Sequence, residues 1–404
     1  MNMSHDGGVT YQPGTAETWR SPWQMYADLR DHDPVHHVSR PSRPDGDYYV
    51  LSRHADVLAA AVDTATFSSA QGLTVEYDEL DTIGLADNRP MVMLDPPDHT
   101  AFRKLVARGF TPRQVTTVEP QVRAFVVDRL ERLRDAGEGD IVEALFKPLP
   151  SMVVAHYLGV PEDGRERFDD WTHAIVSASS AGEIGAATQA ITEMMGYFAE
   201  LLERRRTEPG DDTVSQLVAA GVGDDDAGIL SILAYVFTVV TGGNDTTTGM
   251  LGGAVQLLET DRDQRRLLVD DPTLVKDAIE EFLRLTSPVQ GLARTATRDV
   301  EIEGVTIPAG RRALLLYAAA NRDPRRYGPD AEELDVRRRP GQILTFGQGS
   351  HHCIGAAAAR MQARVALEEL LTRCPDFTVD LDAVQWAPGS YVRRPTTVPF
   401  RVAG

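Results

Sequence analysis

Phe346-Gly347-Gln348-Gly349-Ser350-His351-His352-Cys353-Ile354-Gly355 is the stretch on which the reading of this chain turns. Gly347 and Gly349 permit tight backbone turns that other residues resist. Directly after it, Ala356-Ala357-Ala358-Ala359-Arg360-Met361 is a strong helix former, so Cys353 stands just ahead of a helix N-terminus. Free N–H groups and the helix dipole at such a place stabilise a thiolate, which is a good soft ligand. Gly355 would let a flat group approach the backbone. A lone cysteine in an arbitrary chain is more often a small buried hydrophobe. Zinc held by His351, His352 and Cys353 is the poorer rival, because three consecutive residues do not converge on one ion.

Three other constellations carry chemistry. Gly242-Gly243-Asn244-Asp245-Thr246 lies inside a long apolar helical pattern, Gly228 to Glu259. Gly242 and Thr246 share a face, and the Thr246 hydroxyl can reach back to the Gly242 carbonyl. That competition is expected to interrupt the helix and open a groove lined by an acid and an alcohol. The plainer reading is glycines that allow a helix crossing, with Asp245 solvated. Glu281 and Arg284 are three apart on one helical face, a spacing that usually marks a surface ion pair. In Leu94-Asp95-Pro96-Pro97-Asp98-His99-Thr100-Ala101-Phe102-Arg103, the prolines defer a helix to Asp98 and place His99 and Arg103 on one side of it.

Composition excludes several function classes. The 404 residues carry 41 Lys+Arg against 60 Asp+Glu, a net charge of −19, which argues against nucleic-acid binding and against docking on anionic lipid. Two cysteines cannot make a disulfide scaffold. The N-terminal residues are polar, and the longest apolar tract, Ile229 to Val240, falls short of the ~20 residues of a membrane span. A soluble, cytoplasmic protein is expected. Helical periodicity over Thr117–Ala136, Ala186–Arg206, Asp261–Leu285 and Gly355–Cys374 makes the fold mainly α with a small β portion. Its β signals are Tyr48–Leu51 and a hairpin running from Val300–Ile307 through Pro308-Ala309-Gly310 to Arg312–Ala319.

The cysteine segment resembles the haem-thiolate loop of the cytochromes P450, Phe-Gly-x-Gly-x-His-x-Cys-x-Gly, at every specified position. The Gly242–Thr246 tract is similar to that family's oxygen-binding helix motif. Asp-Pro-Pro-x-His-x-x-x-Arg and Glu-x-x-Arg also match, in the family order, and Ala358, where relatives often carry leucine, is a small departure. The resemblance implies one domain, residues 1–404, folded as a helical triangular prism, against the two or three domains that length alone favours. It implies haem b with the Cys353 thiolate as axial metal ligand, and His99, Arg103, Arg294 and His351 on the propionates, with Gly355 beside the ring. Asp245 and Thr246 would manage protons and water beside dioxygen. Gly242, Gly243, Val239, Val289 and Leu292 would meet a hydrophobic small-molecule substrate, together with the Glu76–Pro90 loop and the Tyr391-Val392 turn. Glu281, Arg284 and Arg338 would form a buried structural network, and Cys374 would be structural.

The activity so implied is a monooxygenase. Electrons would come from a separate ferredoxin and its NAD(P)H-dependent reductase, drawn to a basic patch of Lys104, Arg108, Arg360 and Arg364.

Overall fold

Helices supply most of this computed structural model, which describes residues 9–40, 46–82, 88–181 and 184–402. The longest, Asp226–Thr260, starts where the Asp225 side chain accepts a hydrogen bond from the Gly228 N–H at 2.7 Å. It ends at Asp261, whose carboxylate caps the next helix, Arg262–Asp270. Short polar side chains take these places because a helix start leaves N–H groups without partners. The expected interruption at Gly242-Gly243 does not occur: the helix runs through it. Thr246 Oγ1 does donate to the Gly242 carbonyl, at 2.9 Å, but a carbonyl has two lone pairs and keeps its ladder bond as well.

The long helix packs on Pro148–Tyr157, Arg165–Ala181, Val275–Thr286 and Ala356–Arg373. By length and hydropathy it would suit a bilayer, the one described helix that does, yet it carries Asn244 and Asp245 buried at its middle.

Helix Pro112–Ala136 begins before Thr117, where periodicity alone would start it. Thr111 is extended, and Pro112, with φ already set, fills the first turn. Val118, Val122, Val126 and Leu130 then line one face and are fully buried, each worth roughly 1.5–3 kcal/mol of transfer from water. They share one core with Val365 and Leu370 of Ala356–Arg373 and with Leu251, Val255 and Leu258 of the long helix. A second cluster joins Val154, Phe168, Phe198 and Val240, and the partly buried Val239 and Ile354 pack against it. Ile354 thereby ties the cysteine loop to the cluster that the first half of the long helix also joins.

The main sheet has five strands in the spatial order Val35–Val38, Tyr48–Leu51, Arg312–Leu315, Leu292–Ala296, Phe67–Ser68. Tyr48–Leu51 runs parallel to Arg312–Leu315, with Tyr48 opposite Arg312; the other pairings are antiparallel. The expected hairpin is corrected here. Val300–Ile302 pairs with Val305–Ile307 about Glu303-Gly304, both at positive φ (50° and 77°). Arg312–Leu315 goes to the main sheet because all four of its residues are buried and need cover that a two-stranded ribbon lacks. Tyr317–Ala320 then turns helical.

The segment expected to be a loop from Glu76 to Pro90 holds the short helix Glu79–Thr82. Glu79 anchors it by accepting from the Leu73 and Thr74 N–H groups, each at 2.8 Å. Residues 83–87, part of the expected substrate loop, lie outside the described residues.

Candidate active site

The cysteine loop is built from its glycines outward. Gly347 and Gly349 adopt φ of +65° and +70°, and a methyl at Gly349 would sit 3.0 Å from Val62 Cα. Glycine is required there both for conformation and for the close approach. The Cys353 N–H donates to the Phe346 carbonyl at 2.8 Å, and Gly355 caps helix Ala356–Arg373. The Cys353 side chain stays accessible within this deep loop. Burial pushes its thiol pKa up, while the Gly355 and Ala356 N–H groups and the Arg103 and Arg360 guanidiniums favour the thiolate.

Around this loop the fold gathers four potential cations from three separate segments. Helix Asp98–Val106 brings His99 and Arg103, strand Leu292–Ala296 brings Arg294, and the loop itself brings His351. The His99 and His351 rings lie 4.2 Å apart. Arg103 donates to the His352 carbonyl at 2.5 Å, and Arg294 to that of Ala293 at 2.8 Å. Burial first, then Arg294, His99 and Arg103, hold the His351 imidazole down to about 3; burial and Arg103 lower His99 too. No carboxylate pairs with Arg103 or Arg294 among the described residues, and buried His99 Nδ1 has no partner. Such a donor set calls for carboxylates from outside the chain. Ser69, not anticipated from sequence, places its hydroxyl 3.2 Å from His351 Nε2, and Asp95 holds Ser69 by its N–H at 2.9 Å.

On the long helix, Asp245 is buried and its Oδ1 lies 2.6 Å from Arg394 Nε. Sequence reading missed Arg394; its signal was the Arg393-Arg394 doublet beside the turn already assigned to the pocket. Gly242 is exposed in mid-helix, and a methyl there would meet nothing within 4 Å, whereas one at Gly243 would lie 2.9 Å from Val154. Asn244 donates to the Val240 carbonyl at 2.6 Å. The structure pairs Val289 with Val392 and seats Gln290 N–H on the Tyr391 carbonyl at 2.7 Å, joining two expected pocket segments. Val239 packs in a different cluster from Val289 and Leu292.

Glu281 and Arg284 are fully buried and bidentate, 2.7 Å at each contact, with Arg338 Nε 3.1 Å from Glu281 Oε1. Of the four expected docking cations, Arg360 is held by Glu280 and Arg364 by Glu119 and Glu368. Lys104 is exposed, and the Arg108 side chain lies outside the described residues.

The family model of Cytochrome P450 matches residues 256–385. Cytochrome P450 130 of Mycobacterium tuberculosis is 68% identical over 403 residues, covering 99% of this chain and 98% of that one. The chain belongs to the cytochrome P450 family. Vitamin D(3) 25-hydroxylase of Pseudonocardia autotrophica is 37% identical, covering 99% and 98%. The solved Mycobacterium marinum cytochrome P450 CYP268A2, in complex with pseudoionone, superposes with a TM-score of 0.85 at 30% identity, covering 99% of this chain and 100% of that one.

This P450 is therefore a monooxygenase whose cofactor is haem b, held by a cysteine thiolate. Cys353 is the residue for it, since Cys374 is buried in the helical core. The surroundings fit the group: Arg103 and buried Arg294, with no carboxylate on either among the described residues, and the orphaned His99 Nδ1 suit its two propionates, and Gly242 leaves room beside the helix.

Proposed function

We propose that this P450 inserts one atom of dioxygen into a hydrophobic small molecule, R–H + O2 + 2e− + 2H+ → R–OH + H2O. The electrons come from a separate ferredoxin and its NAD(P)H-dependent reductase, in the cytoplasm, and the chain, 1–404, acts as one domain. The observation that carries the reading is the acid–alcohol pair Asp245–Thr246 beside Gly242, an exposed place at the middle of the long helix. Haem bound by Cys353 supplies the activation of dioxygen.

The chain's own residues do the rest. Arg103, Arg294, His99 and His351 hold the propionates, and Gly355 keeps the backbone clear of the ring. Thr246 orders a water, and Asp245 passes protons to it. Because Arg394 stabilises the Asp245 carboxylate, a proton moves through Asp245 only when that pair loosens. Val239, Val289 and Leu292, all half-buried, offer apolar contact, and Gly242 gives clearance, whereas Gly243 makes room for Val154. The vitamin D(3) and pseudoionone named for relatives are hydrophobic molecules of the size meant. Lys104 is the docking cation open to a ferredoxin.

The test is a visible-absorption titration of the holoprotein with sterols, terpene ketones and other apolar compounds, followed by turnover with a ferredoxin and its reductase. A Soret shift and product formation are expected. No shift with any apolar compound would sink the substrate class; product from peroxide alone, and never from the reductase system, would sink the electron supply.

A further inference from the structure

On the far portion of the long helix a second cleft, of about 300 Å³, is lined by Arg20, Trp23, Gln256, Thr260, Trp386 and Arg393 among others, and shares no residue with the site above. Its deepest charge without a carboxylate partner is Arg393. This guanidinium is 8% exposed, stacked 3.8 Å from the Trp386 ring centroid and 4.8 Å from that of Trp23. Its Nε donates to the Trp19 carbonyl at 2.6 Å, and no carboxylate pairs with it among the described residues. By contrast, neighbouring Arg322 has Glu332, and buried Arg284 has Glu281.

Isolating a cation in this way costs several kcal/mol unless an anion joins it. Burial, then the charge of Arg322, lower the Arg393 pKa to about 9. Asp382 also lines the cleft, but it is exposed and is not among the charges acting on Arg393. Two further buried donors border the same space without a hydrogen-bond partner, Trp386 Nε1 and Arg322 Nε. The Trp23 ring, Leu257 and Leu381 add apolar surface among the polar walls of Gln256, Thr260 and Thr286.

We propose that this cleft binds a small organic carboxylate, its oxygens on Arg393 and Trp386 and its apolar body against Trp23 and Leu257. One buried guanidinium without a carboxylate matches one negative charge, and the Trp23 ring and Leu257 reward an apolar body that phosphate lacks.

Calorimetric titration of the holoprotein with benzoate, with the Soret band recorded in parallel, tests this. Saturable binding with no Soret change is expected, and at least about tenfold weaker binding of benzamide and of inorganic phosphate, the worth of one charge-assisted hydrogen bond. Arg393→Gln should abolish benzoate binding. Because Arg393 also ties down Trp19, Gln256→Glu is the second variant: it puts a competing carboxylate on the cleft wall, away from the catalytic residues, and should weaken benzoate at least about tenfold in a protein that still folds. Equal binding of benzamide, tighter binding of phosphate, unchanged affinity in Gln256→Glu, a Soret shift that tracks benzoate binding, or no saturable heat would each overturn the proposal.

Discussion

At Thr246 the hydroxyl hydrogen is already given to the Gly242 carbonyl, so what the side chain offers a water is its oxygen lone pairs. Thr246→Ala removes that acceptor. Product formed per NAD(P)H should fall several-fold and hydrogen peroxide should rise, while Thr246→Ser keeps the coupling; an unchanged ratio in the alanine variant would contradict the role. Asp245→Asn keeps the shape but cannot carry a proton, and turnover should drop by about 10²-fold, the usual worth of a general acid. Rapid-mixing kinetics at saturating ferredoxin would measure it. At this scale sequence was informative where the residue's neighbours in the chain set its geometry. Gly347, Gly349 and the alanine run declared the cysteine loop without any distant contact. The Ser69 contact to His351 was not legible, and the Arg393-Arg394 doublet did not say which acid it meets, because both partnerships join segments remote in sequence.

Between elements, the glycines of the long helix have different reasons to be there. A methyl at Gly252 would run into the Pro395 ring, which cannot yield, so Gly252→Ala should cost roughly 1–3 kcal/mol by urea unfolding. A methyl at Gly242 meets nothing, so Gly242→Ala should gain about 0.5–1 kcal/mol of helix propensity while narrowing the compounds that shift the Soret band. A destabilised Gly242→Ala would mean the open place is filled by the protein itself. Arg284→Ala strips the bidentate partner from a fully buried carboxylate and should cost about 3–5 kcal/mol, seen as a lower urea midpoint. Helices were legible in sequence because a 3.6-residue period is local. Strand Arg312–Leu315 was not, since its partners are chosen by burial across the sheet and not by the turn before it.

Over the whole molecule, the two ends of the chain are fastened to each other. The Trp19 indole donates to the Gly389 carbonyl at 2.9 Å, Arg393 donates to the Trp19 carbonyl, and Arg20 donates to the carbonyls of residues 381, 382 and 384. Trp19 has no exposed surface, so Trp19→Ala should cost roughly 3–5 kcal/mol in denaturant unfolding with the Cys353 loop unaltered, as the Soret band would report.

Trp19 and Arg393 are 374 residues apart. A ribosome adding ~5–20 residues per second leaves some tens of seconds between them. Through that interval Trp19 lacks its bonds to Gly389 and Arg393, although Arg322 already lies 3.6 Å over the Trp23 ring. This part of the fold therefore closes only once residues 389–393 have been made. A nascent chain stalled short of residue 389 would leave the Trp19 indole without its acceptor, a hydrophobic flag that chaperones and proteases can read as unfinished.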